Sequence, residues 1–210
     1  MPPKTLRERT QRPSADDTRA NILAAALDLF SERSFEGAST RLIAQRAGVP
    51  QPLLTYHFGN KEELWRCAVG RLFEELERSL ADRVAWLRGV DDETVARLVI
   101  SEFVSFSSDH PQLHRIIMQE CKSDGDRLAW LVDHHIRPIY EGAVALLEPL
   151  VRAGKVREIP TAHLYYLLTG AAATIFVLAP ECRRLTGVDP SHPDEVKRHI
   201  DAVLSMVFLP

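Results

Sequence analysis

Between Ser39 and Lys61 the chain reads STRLIAQRAGVPQPLLTYHFGNK. Its polar side chains match the groups that nucleic acid presents. The Gln51 amide can pair with the edge of adenine, and Leu53 or Leu54 can touch a thymine methyl. The Thr55 hydroxyl can reach a base or a phosphate. Pro52 lies beside them in the same first turn. Thr40 and Arg41 open the preceding helix, where free backbone amides favour phosphate.

Two short helices and a tight turn must position these groups. Ser39 or Thr40 can cap the first helix through a hydroxyl. Leu42, Ile43 and Ala47 supply its apolar face. Gly48 ends it, since glycine tolerates the left-handed conformation of a helix stop. Val49 fills the turn, and Pro50 and Pro52 suit the first turn of the next helix. That helix stops near Gly59-Asn60. It is too short to stand alone in water, so its neighbours must hold it. This is the layout of a helix-turn-helix, whose second helix enters the major groove of DNA. Leu54 is expected to face helix 1 as core, with Phe58 packed under the head.

The surrounding chain predicts an all-α protein of about nine helices. Helix 1 is expected over Asp17–Arg33, capped by Asp16 or Asp17, with Ile22, Ala26, Leu29 and Phe30 on one face. Phe35 is expected in the core. A long helix starts after the Asn60 cap and carries Leu64, Ala68, Leu72 and Leu76 toward Trp86. Gly89 ends it. Further helices are expected over Asp91–Ser108, Pro111–Cys121, Arg127–Ala153 (kinked at Pro138), Thr161–Ala179 and Asp194–Phe208. A loop is expected over Pro180–Pro193.

The 210 residues are 45% apolar and 26% charged, ordinary for a globular protein. The net charge of −3 argues against indiscriminate nucleic-acid binding. Its distribution is uneven. Residues 1–61 carry nine Lys/Arg against six Asp/Glu, and the remainder carries the acidic excess. Cys67, Cys121 and Cys182 form no CxxC pattern, so a disulfide framework is not expected and a reducing cytoplasm fits. No secretory signal is expected at MPPKTLRERTQRPS. The uncharged run Leu164–Pro180 is too short to span a bilayer, so no membrane partner is expected. Lys4, Arg7, Arg9 and Arg12 make residues 1–16 a basic tail, expected to be disordered. It is either a solvated tail or an arm that reaches DNA.

Residues 18–66 resemble the N-terminal domain of the TetR/AcrR family of bacterial transcriptional regulators. The likeness rests on TRANILAAALDLFSERSFEGAST, RLIAQRAGV and YHFGNKEEL. It implies a DNA-binding domain over 17–62 and an effector-binding and dimerisation domain over 63–210. It also implies a homodimer that reads a palindromic double-stranded operator, and a small-molecule effector that shifts the spacing of the heads. Most members repress transcription, and some activate it. Tyr56, His57 and Lys61 match family positions that typically contact phosphate. Thr55 departs from the tyrosine common at its position, and Pro50 and Pro52 replace commoner small or polar residues. The operator sequence therefore does not carry over. An architectural DNA binder without an effector is the rival.

The body offers weaker candidates. Glu102 and Glu120 fall on apolar helix faces, where each either pairs with an internal Arg or His or points to a ligand. Phe103, Phe106, His114, Ile117, Met118, Trp130, His134, Tyr166 and Phe176 could line an effector pocket or be plain core. Leu167, Gly170, Ala171 and Thr174, with Ile200, Val203, Leu204 and Val207, are expected at a two-fold four-helix interface. His110, His114, Cys121, His134 and His135 lack the spacing of a structural zinc site. No metal site, no cofactor and no catalytic motif is expected.

Overall fold

A computed structural model describes residues 15–85 and 89–209. The described residues form eleven α-helices and one π-turn. The basic tail through Ser14 and the expected helix end at Trp86 lie outside them. The chain divides into two compact units, one through Ala68 and one from Val69.

The first unit holds α1 (Ala15–Gly37), α2 (Thr40–Ala47), α3 (Gln51–Phe58) and the start of α4 (Lys61–Ala85). Asp16 and Asp17 lie inside the first turn of α1, where they meet the helix dipole, and do not cap it. Ile22, Ala26, Leu29 and Phe30 are fully or almost fully buried, as their helical spacing requires. α1 breaks at Ser34, whose φ of 62° and ψ of 173° leave the helical region. Only glycine adopts that conformation without cost, and other residues carry about 1–3 kcal/mol of strain there. Ser34→Gly should therefore raise stability by about 1 kcal/mol, read as a higher urea midpoint at unchanged slope. Phe35 follows the break, stacks on Phe30 with centroids 5.8 Å apart and meets the edge of Trp65.

The second unit is organised around α5 (Asp92–Asp109), α9 (Thr161–Val177) and α11 (Pro193–Val207). Ile100, Val104, Leu164, Leu168, Phe176, Val203 and Val207 share one core. Asp91 caps α5, accepting from the Thr94 amide at 3.0 Å and its hydroxyl at 2.7 Å. α6 (Pro111–Glu120) follows directly. The chain end is tied back by Leu209, whose amide donates to the Lys155 carbonyl at 3.0 Å.

Two stretches differ from expectation. The long helix over 127–153 is α7 (Asp126–Leu131), a π-turn (Val132–Ile136) and α8 (Arg137–Arg152). Pro138 lies in the first turn of α8, where its missing amide hydrogen costs little. A π-turn, itself a common cause of helix kinks, immediately precedes it. The loop expected over 180–193 contains a further helix, α10 (Ala179–Thr186). Pro180 and Glu181 occupy its first turn, and Gly187 stops it at φ 75°. The start and stop residues were present, but α9 and α10 meet at a 73° bend that hydropathy does not show. Among the described residues, no single helix is long and apolar enough to cross a membrane.

Candidate functional site

The α2–turn–α3 segment is held by local chemistry. The Leu42 amide donates to Ser39 Oγ at 3.2 Å, so Ser39 is the cap and Thr40 the first helical residue. Gly48 takes φ 68° and ends α2. The Val49 amide closes the turn on the Ala44 carbonyl at 3.0 Å. Ile43 and Ala44 bury the inner face of α2, while Leu42 and Ala47 are only half-buried. Arg46 pairs with Glu32 of α1 at 2.7 Å. Asn60 Oδ1 accepts from the Glu63 amide at 2.9 Å and starts α4.

α3 divides cleanly into two faces. Leu54 and Phe58, four residues apart, are buried. Arg19 lies over the Phe58 ring at 5.1 Å. Gln51, Pro52, Thr55 and Tyr56 are exposed, Tyr56 at 82%. Leu53 and His57 are half-buried at the flanks, and Arg41 is exposed at the start of α2. Gln51 Nε2 donates to Thr40 Oγ1 at 3.3 Å, which links the starts of the two helices. The Tyr56 and His57 rings meet edge to face at 5.3 Å. The Lys61 ammonium sits over the Phe35 ring, 4.3 Å from its centroid. Thr40, Arg41, Gln51, Pro52, Leu53, Thr55, Tyr56, His57 and Lys61 thus all keep at least part of their surface accessible.

The second unit contains a cavity of about 490 Å³, within the range of small-molecule sites. Leu80, Ala81 and Val84 of α4 line it with Val95, Val99, Ile100 and Phe103 of α5. Pro138, Ile139, Gly142, Ala143, Leu146 and Leu147 of α8 form another wall. Tyr165, Leu168 and Thr169 of α9 and Glu77 of α4 complete it. Burial pushes the Tyr165 phenol up to about 12, so it stays a neutral donor. Its ring meets Tyr140 edge to face at 5.0 Å.

Of the residues expected to line a pocket, this cavity takes Phe103 alone. Glu102 accepts from Ser79 and from Arg83 Nε at 2.6 Å. Glu120 pairs with Arg127 at 2.9 Å. Both carboxylates therefore resolve as internal pairs. Phe106 packs against His110 at 4.4 Å, and Phe176 is core against His199. His114 and Ile117 are half-buried off the cavity, while Met118 and Tyr166 point outward at 54% and 74% exposure. Trp130 stacks on His134, whose Nδ1 lies 2.9 Å from the Trp130 carbonyl. Val203 and Val207 are buried in their own core, which corrects their assignment to a subunit interface. Leu167 and Thr174 are exposed, and Gly170, Ala171, Ile200 and Leu204 are half-buried. Among the described residues, no group of three or more His, Cys, Asp or Glu could hold a metal ion.

The other cavity residues are mostly aliphatic and lie on helix faces that look like ordinary core in sequence. Val95 and Val99 of α5, and Ile139 and Ala143 of α8, have ordinary core spacing. The adjacent small pair Gly142–Ala143 was the one hint of empty space beside them.

Residues 22–66 match the family described as bacterial regulatory proteins, tetR family. They hold α2, the turn and α3 with their exposed polar face. These residues form a TetR-type DNA-binding domain. Members of the TetR family are DNA-binding regulators, not enzymes. The transcriptional regulator RutR of Escherichia coli is 26% identical over 188 residues, 88% of this chain and 84% of RutR. The transcriptional repressor NicS of Pseudomonas putida is 25% identical over 170 residues, 79% of this chain and 78% of NicS. A crystal structure of AibR with isovaleryl coenzyme A and operator DNA superposes with a TM-score of 0.72. It covers 92% of this chain and 99% of AibR at 16% identity, so it speaks for the TetR-type fold alone.

Proposed function

We propose that this chain is a ligand-responsive TetR-family repressor that binds a palindromic operator as a homodimer in the cytoplasm. The exposed face of α3, with Gln51, Thr55 and Tyr56 outward over buried Leu54 and Phe58, carries the reading. Residues 17–62 serve as the DNA-binding domain and residues 63–210 as the effector-binding and dimerisation domain. Gln51 and Thr55 contact base edges, with Pro52 and Leu53 beside them. Tyr56, His57, Lys61, Thr40 and Arg41 contact phosphate and set register. Two copies of α3 meet successive major grooves about 34–36 Å apart. The exposed α9 side chains Tyr166, Leu167 and Thr174 supply apolar surface for the second subunit. An effector in the cavity shifts the head spacing only through unequal affinity for the bound and released states.

Selection of bound sites from random DNA tests the operator half, and a palindromic consensus is the expected result. The double change Tyr56→Phe, Lys61→Ala should weaken binding to every sequence alike. It should also flatten the dependence of log affinity on log salt by roughly one to two. An unchanged slope in salt titrations would remove Lys61 from the phosphate contacts, and unchanged affinity of Tyr56→Phe alone would remove Tyr56.

A further inference from the structure

The cavity's polar groups define what it can hold. Among the described residues that line it, Glu77 is the only charged one. The nearest basic group to its carboxylate is His135 Nδ1 at 3.9 Å. Burial lowers the pKa of that imidazole, although the neighbouring Glu77 carboxylate works the other way. Arg83, on the same helix, is committed to Glu102 at 2.6 Å. Glu77 thus stands half-exposed at an apolar cavity with no lysine or arginine against it among the described residues. The Tyr165 hydroxyl has no hydrogen-bond partner among them either. Phe103 and Tyr165 add aromatic rings to the wall.

From this arrangement we infer that the cavity takes a lipophilic organic cation, an amine or quaternary ammonium, with its charge at Glu77 and its apolar body among Val99, Phe103, Ile139 and Leu168. The inference rests on the effector role proposed for the cavity and names the ligand class. An ammonium gains attraction from Glu77 and from the aromatic rings. A carboxylate of equal length meets Glu77 and no compensating lysine or arginine, and its desolvation goes unrepaid. A neutral alcohol falls between, since Tyr165 can donate to it.

Calorimetric titration of the full-length protein with three ten-carbon probes tests this, each below its micelle concentration. The probes are decyltrimethylammonium, decanol and decanoate. The ammonium should bind at least about fivefold tighter than the alcohol, and decanoate weakest. Glu77→Gln should abolish the preference for the ammonium over the alcohol while leaving alcohol binding in place. Ala143→Phe, which fills the cavity, should weaken all three together.

Decanoate binding as tightly as the ammonium would overturn the ligand class and leave the effector site standing. So would an ammonium preference that survives Glu77→Gln. If none of the three binds the native protein, the effector half of the proposed function falls as well.

Discussion

Phe30→Ala should destabilise the first compact unit by about 3–5 kcal/mol, the usual cost of emptying a buried aromatic site. Phe30 is completely buried on the inner face of α1 and stacks on Phe35 at 5.8 Å. Phe35 in turn lies under the Lys61 ammonium and against Trp65. Typical domains have only about 5–15 kcal/mol to lose. DNA binding should therefore fail at 37 °C although no DNA-facing residue has changed. Urea denaturation gives the stability loss, and gel-shift titration gives the binding. Phe30→Leu, which keeps much of the volume, should lose clearly less. Equal losses from the two variants would place the effect outside packing.

Acidification should destabilise the protein by on the order of 3 kcal/mol through His114 alone. Burial lowers its pKa from 6.5 to about 4, and its ring packs near Phe103 at 6.0 Å. Between those values the unfolded chain binds a proton that the native state refuses. This stabilising contribution is complete above the unfolded pKa of 6.5 and is lost as pH falls toward about 4. His114→Leu should not show this part of the acid sensitivity. Urea midpoints at pH 7 and pH 4.5 for both proteins make the comparison. Parallel loss in both would assign the acid sensitivity to other groups.

The helix-turn-helix was legible because its signals are local. A cap at Ser39, a stop at Gly48 and a buried Leu54 each follow from residue type within a few positions. The faces of α1 followed from periodicity for the same reason. The cavity was not legible, because it is a space between helices distant in the chain. Val99 and Ile139 look the same in sequence whether they touch each other or face a void. Likewise, Glu102 and Glu120 could be flagged as carboxylates in need of partners, but Arg83 and Arg127 came from tertiary packing. Val203 and Val207 show the limit of reading stripes. An apolar helix face must be covered, yet periodicity cannot tell the chain's own core from a second subunit.

The π-turn at Val132–Ile136 also bears on how the cavity wall can evolve. A π-turn holds one residue more than the helical turn it replaces. In an α-helix each residue advances the face by about 100°. Loss of a single codon at the π-turn would restore a regular helix and keep Ile139, Ala143 and Leu146 on the cavity side, whereas the same loss early in α8 would turn the residues after it by about 100°. A length change is thus absorbed at the π-turn and remodels the wall anywhere further along α8. Descendants of this chain can therefore lose a residue at Val132–Ile136 without rebuilding the cavity.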